Sequence, residues 1–372
     1  MVKVRTRDFI YTTDDLFFAA TNYIHPKDRF ISFLRYVPDE NGDREKNGQR
    51  YSKVTSEEAY DYLKNYHPDY LYLCEVTKVE MMGVPQNKIK EIIKPEERLG
   101  EIKKSEEKNP SNDPLIKKLL KVADFFHYQA GIDYNNLGIS GSILPNLQKA
   151  TVSDIDFVVY GLENHRIAMK TFEEFKDKEI KIKKIEKNKT GKRENGEERE
   201  EKITLNSIQD SYWQRIYDKR MKDSSLTKKE FCWYENRKNN RGIIEETLFD
   251  ILATRNWDEI SGSWGDTVYE PIGIALIEAT IEDAIASFDN PATYKIKDLK
   301  VLEAIGEEKK IIEKITELVS FTHTYAGQAI EEEIIIAKGK VEKVIKNKDI
   351  GYRLVVGTTR ESIDEFIKLK NI

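Results

Sequence analysis

The sequence predicts an α/β centre, a small mixed sheet with helices, flanked by an α+β N-terminal domain and a β-rich C-terminal domain. In the middle of the chain a well-punctuated helix leads into two short apolar runs, Leu137-Gly138-Ile139 and Ile155 to Tyr160, which read as strands. Past Gly262 the composition turns to β-formers, with strand patterns at 294–303, 328–337, 340–345 and 352–356. A length of 372 residues implies two or three domains. We place them at 1–102, 113–260 and 261–372, with a Lys/Glu-rich linker at 103–112.

The N-terminal stretch mixes both element types. Arg29 to Val37 is rich in β-formers and is closed by Pro38, so it predicts a strand, and Leu71 to Val79 predicts another. Between them Thr55-Ser56-Glu57-Glu58 makes a capping box that opens a helix over 56–65. After the linker, Asp113 is a candidate N-cap, Pro114 suits the first helical position and Gly131 marks the stop. Leu115, Ile116, Leu119, Leu120, Ala123 and Phe126 then share one helical face. Residues 176–201 form a run of charge, Lys-rich then Glu-rich, read as a solvated hairpin or insertion. Helical pattern returns at 207–221 and 226–237, followed by a strand at 243–253. The chain closes on an expected amphipathic helix carrying Ile363, Phe366, Ile367 and Leu369.

Composition excludes several classes. Lys+Arg number 61 against 66 Asp+Glu, a net charge of -5, which argues against a generally basic nucleic-acid coat while leaving room for a local basic groove. Two distant cysteines, Cys74 and Cys232, make neither a disulfide framework nor a metal spacing. No apolar run approaches the ~18 residues of a membrane span, and the first residues lack a signal-peptide core. A cytoplasmic protein is the expectation.

One cluster carries chemistry: Gly141-Ser142, then Asp154-Ile155-Asp156 running into Phe157-Val158-Val159. In a strand, residues two apart share a face, so Asp154 and Asp156 project together. Two carboxylates so close repel unless a cation lies between them, and hard cations such as Mg²⁺ take oxygen ligands and bridge phosphates. Gly141 lets the backbone approach a triphosphate, and Ser142 offers a hydroxyl and an N–H at the start of an expected short helix. Gly-Ser turns and Asp-x-Asp pairs are each common; their order and spacing here make them informative together.

These residues resemble the signature of the DNA polymerase β-like nucleotidyltransferases: a Gly-Ser turn, about ten residues, and an apolar-flanked Asp-x-Asp. The chain is also similar to archaeal predicted nucleotidyltransferases of unassigned substrate, in Arg7-Asp8-Phe9-Ile10-Tyr11, Tyr325-Ala326-Gly327-Gln328 and Val356 to Glu361. The resemblance implies a third carboxylate on a later strand. Asp250 is the candidate and Glu246, on the same face of the expected strand, is the reserve. It further implies two Mg²⁺ ions held by Asp154, Asp156 and Asp250, an NTP donor, and transfer of a nucleoside monophosphate to a hydroxyl-bearing acceptor (RNA, protein or small molecule) with release of pyrophosphate. The alternative is a catalytically silent module of the same fold that binds RNA or a protein; a weaker third reading is a phosphohydrolase releasing orthophosphate.

Secondary candidates are weaker. Arg237 and Arg241 flank a basic segment suited to phosphates, although cations also complement a helix C-terminus. Tyr212, Trp213, Trp233 and Tyr234 could stack a base, yet their helical spacing favours packing. Gly357 to Glu361 is an anion-binding turn or, more simply, a capping box. The basic stretch from Lys181 to Arg193 is a possible RNA contact, neutralised by its acidic continuation. Among the histidines, His323 is the one to follow.

Overall fold

The computed structural model describes residues 3–76, 79–187, 193–347, 349–357 and 363–371, and the side chains of 184–187 and 193–199 lie outside that description. The fold is mixed α+β, built on several sheets.

The first unit contains β1 (Phe9–Thr12), β2 (Phe17–Ala20), β3 (Arg29–Pro38), β4 (Arg44–Lys46), β5 (Gln49–Lys53), α1 (Ser56–Tyr66), β6 (Leu71–Leu73), β7 (Glu80–Pro85) and β8 (Ile89–Ile93). Its sheet runs β4-β5-β3-β2-β1-β8, with β7 joined to the start of β3 and β6 to β7. The capping box at Thr55 forms as expected: its Oγ1 accepts from the Glu58 N–H, and the Glu58 carboxylate accepts from the Thr55 N–H. Ala59 and Leu63 of α1 pack on Ile10, Phe18, Leu34 and Val84.

The central unit begins with α2 (Pro95–Lys108) and α3 (Pro114–Ala130), continues through β9 (Leu137–Ile139), β10 (Ile155–Tyr160) and α4 (Leu162–Phe175), and extends a hairpin of β11 (Glu179–Lys187) and β12 (Arg193–Thr204). Residues 103–108, expected as linker, continue α2. Pro95 sits at its first turn with Glu96 and Glu97, Lys108 lies in its last, and Leu99 and Ile102 are buried. Those two apolar residues suffice to seat a helix whose outer face is all charge. Asp113, Pro114 and Gly131 punctuate α3 as expected, Gly131 in the left-handed conformation at φ 69°. Helices α5 (Asp210–Arg220) and α6 (Lys228–Arg237) precede a second hairpin, β13 (Arg241–Ile244) and β14 (Thr247–Thr254). The strand expected at 243–253 is therefore two strands, turned at Glu245 and Glu246, both at positive φ. The central sheet is β13-β14-β10-β9, with β10 and β14 parallel.

The last unit is a barrel. Strands β15 (Thr267–Asp283), β16 (Ala292–Ile305), β17 (Glu317–Ser320), β18 (Ile334–Lys346) and β19 (Asp349–Val356) pair in the order β15-β16-β17-β19-β18, and β15 pairs with β18 to close the ring. Alternate residues Ala275, Ile277, Ala279 and Ile281 point into its core with Leu318, Val341 and Leu354. The strands expected at 328–337 and 340–345 merge into one, β18, which begins only at Ile334, with 328–333 outside any strand. Gly339 does not break it, because a Cβ there would strike the Val355 carbonyl, so the glycine serves close strand approach. The expected closing helix is instead β20 (Phe366–Leu369), paired antiparallel to residues 335–338 of β18. Apolar residues at 363, 366, 367 and 369 fit either period over so short a span, and the edge of β18 beyond its β19 pairing was open to be filled. Trp213, Leu226, Phe231 and Tyr234 of the α5–α6 region share the barrel's core, which ties the helices to it.

Candidate functional site

Parallel pairing of β10 with β14 sets Asp156 directly beside Asp250. In-register neighbours on adjacent strands carry their side chains on the same face. Asp154, two residues before Asp156, is exposed where the strand begins. The preceding turn closes on this pair. The Ser140 N–H donates to the Asp156 carbonyl at 2.9 Å, and Gly141 has φ 61°. A Cβ on Gly141 would overlap the Asp156 carboxylate, so this glycine is required both by its backbone and by its neighbour. The Asp156 carboxyl is pushed up to about 7, first by burial, then by the charges of Asp154 and Asp250, with Arg7 and Arg35 pulling the other way.

Several expectations change at close range. No helix follows Gly141-Ser142. Pro145 and the left-handed Asn146 (φ 61°) break the segment into turns. Ser142 is buried, its Oγ donating to Ser153 Oγ at 3.2 Å, and it does not line the cavity described below. Glu246 is exposed in the β13–β14 turn and shares no strand face with Asp250. Arg241 lies opposite Asp250 across β13–β14 and holds both its carboxylate oxygens, Nη2 to Oδ2 at 2.7 Å and Nε to Oδ1. Arg237 turns away, pairing with Glu333 at 2.7 Å and lying over Trp233.

Asp156 and Asp250 open into a cavity of about 600 Å³ enclosed by the three units. The first unit contributes Arg7, Phe33 and Arg35; the barrel contributes Ala292, Ser320 and His323; α5 and α6 bring Arg220 and Glu235. Just beyond α6, Lys238 is buried, donating to the Glu235 carboxylate at 2.6 Å and to the Thr324 carbonyl at 2.8 Å. Burial alone would raise the Glu235 carboxyl, but Lys238 and Arg220 outweigh it and hold the group below its usual range. Lys238 lies within the basic segment 237–241 that the sequence offered for phosphates, but it is committed to Glu235 and Thr324. Sequence reasoning missed Arg7 and Arg35 as site residues, and no spacing would have linked them, since they lie on different elements of the first unit. Arg7 alone had a signal, in the Arg7-Asp8-Phe9-Ile10-Tyr11 run of the resemblance.

The aromatic candidates behave as packing. Trp213 and Tyr234 are buried in the barrel-side core, with Tyr212 packed against it and Trp233 largely exposed. His165 is buried and His25 half-buried, and both are pushed down to about 4, first by burial. Residues 358–361, the expected capping or anion turn, and part of the basic stretch 181–193 fall outside the described residues.

Among the described residues no group of three His, Cys, Asp or Glu forms a ready metal cage, and Arg241 occupies both oxygens of Asp250. The donor chemistry nevertheless suits a hard cation. Asp154 and Asp156 offer carboxylate oxygens alone, the donors that such a cation takes.

Fold and cavity together describe a mixed α+β protein whose units converge on an acidic pair set against a Gly-Ser turn. The chain is 40% identical over 380 residues to the uncharacterized protein MJ1086 of Methanocaldococcus jannaschii, spanning 99% of this chain and 100% of the relative, and it belongs to that protein's family. No family model and no solved structure matches it. Among the described residues no helix is long and apolar enough to cross a membrane.

Proposed function

We propose that the protein is an Mg²⁺-dependent nucleotidyltransferase that moves a nucleoside monophosphate from an NTP to a hydroxyl-bearing acceptor. The observation that carries this reading is the placement of Asp156 beside Asp250 on parallel strands, under the Gly141 turn and open to a cavity of about 600 Å³. That volume lies within the ~300–1,000 Å³ of small-ligand sites.

Asp154, Asp156 and, once released from Arg241, Asp250 would hold the ions, which when bound supply charge neutralisation and acidify the attacking hydroxyl. Gly141, having no Cβ, lets the turn sit against the Asp156 carboxylate and keeps that group in place beside Asp250. The acceptor oxygen bonds to the α-phosphorus, the bond to the pyrophosphate oxygen breaks, and the hydroxyl proton passes to water. Walls from three units fix both partners, the main way such sites accelerate in-line displacement.

A second reading has its own observation. Arg241 already neutralises Asp250 in bidentate fashion, as expected of a silent module whose third carboxylate has become structural. Calorimetry separates the two. The enzyme reading expects NTP binding that requires Mg²⁺ and weakens at least about 100-fold in Asp154→Asn/Asp156→Asn. NTP binding absent from the wild type, with the variant equally well folded, would sink it.

A further inference from the structure

The cavity's arginines fall into two kinds. Arg220 pairs with Glu235 at 3.4 Å, and Arg241 grips Asp250. Arg7 and Arg35, from the first unit, make no ion pair among the described residues, although both line the same cavity. They are not counter-ions bonded to Asp156, since among the described residues no hydrogen bond or ion pair joins either guanidinium to it. A guanidinium held in a cavity without an anion is unusual, because its planar fork is built for bidentate oxyanion binding.

The backbone supplies an independent observation. Arg7 adopts φ 76°, a left-handed conformation that costs a side-chain-bearing residue of order 1 kcal/mol or more. It is fastened there from two sides. Its N–H donates to the Ala20 carbonyl at 3.2 Å, and its carbonyl accepts from Ser140 Oγ at 3.0 Å. Ser140 is the residue before Gly141, so the strained turn is bolted to the turn that meets Asp156. Arg35 comes from β3, at the bulge where β2 pairs with Leu34 and Tyr36 and skips it, and its carbonyl accepts from the Val54 N–H at 3.1 Å. Both guanidiniums therefore stand on well-anchored backbone.

We propose that Arg7 and Arg35 form a phosphate-binding subsite, contributed by the N-terminal sheet to the cavity that holds Asp156 and Asp250. The phosphate belongs either to the tail of the NTP or to a phosphorylated acceptor. This inference rests on the proposed activity only for that choice of source, because the subsite itself needs no metal and no turnover.

The test uses tripolyphosphate and inorganic phosphate as probes in metal-free calorimetry on the full chain. Wild type should bind tripolyphosphate in a salt-sensitive manner. Arg7→Gly, which removes the charge and relieves the backbone, and Arg35→Gln should each weaken binding about tenfold or more, while Arg7→Lys keeps part of it. Two variants guard against one misfolding, and either suffices. Unchanged affinity in both, or no binding of either probe by wild type, overturns the proposal. With Mg²⁺ and ATP present, displacement of tripolyphosphate by ATP assigns the subsite to the nucleotide's tail, and simultaneous binding assigns it to the acceptor. If ATP never binds while Arg-dependent tripolyphosphate binding persists, the subsite stands and the nucleotidyltransferase reading falls.

Discussion

Two groups of charges line one cavity and are treated oppositely. On the α6 side, Glu235, Lys238 and Arg220 interlock, and Arg241 closes on Asp250. On the side made by β10 and the first unit, Asp156, Arg7 and Arg35 share a field with no ion pair between them among the described residues, and the charge of the exposed Asp154 acts on Asp156. The first group satisfies itself, as buried charges in a stable fold must. The second leaves both signs exposed to whatever enters. That difference separates charges that hold the walls together from charges that await a ligand: removing a charge of the first kind should destabilise the fold, and removing one of the second should cost little or stabilise it.

The largest expected effect is on the paired side. Lys238→Met leaves Glu235 buried with only the longer Arg220 contact, so unfolding free energy should fall by about 3–5 kcal/mol, read by denaturant titration. Glu235→Gln should cost less if Arg220 and Lys238 find other acceptors. A Lys238→Met variant as stable as wild type would break the distinction, because the cluster would then be dispensable.

The ligand-directed side should give the reverse sign. Asp156 has a carboxyl raised to about 7 in the fold against 3.8 ordinarily. Between these values the native state holds a proton the unfolded chain has lost, so this group's contribution to stability declines as pH rises from about 4 to about 7 and stays low above. In chelator, Asp156→Asn should melt above wild type at pH 8 by a few degrees, corresponding to ~1–3 kcal/mol, and the gap should narrow steadily as pH falls towards about 4. A variant that melts below wild type at pH 8 would place Asp156 among the structural charges.

How much of this was legible in sequence follows from what each feature depends on. Local punctuation read true: the Thr55 capping box, the Asp113-Pro114 start and the Gly131 stop are satisfied within a few residues of themselves. The Asp154–Asp156 spacing and Gly141 were visible for the same reason, as strand geometry and a turn. Asp250 came from the expected strand near 250, although its pairing with Arg241 lay hidden in a hairpin turn that two glutamates at positive φ do not announce. The closing strand β20 was misread because four apolar residues suit two periods, and only the open edge of β18 decides between them. Arg7 and Arg35 were invisible as a pair. They lie on different elements and meet the carboxylates only through tertiary packing.

The smallest effect is also the sharpest test of the comparison. Arg35 bonds to no carboxylate among the described residues and lines the cavity, so Arg35→Gln breaks no ion pair or side-chain hydrogen bond there. It tempers the Asp156 charge from a distance, and water in the cavity screens such attraction. Thermal unfolding should therefore move by less than about 0.5 kcal/mol at pH 7, even as tripolyphosphate affinity falls tenfold or more. That dissociation of stability from binding is what a ligand-directed arginine must show. A loss of 2 kcal/mol or more with binding intact would put Arg35 with Lys238, as part of the wall, and leave Arg7 alone facing the acids.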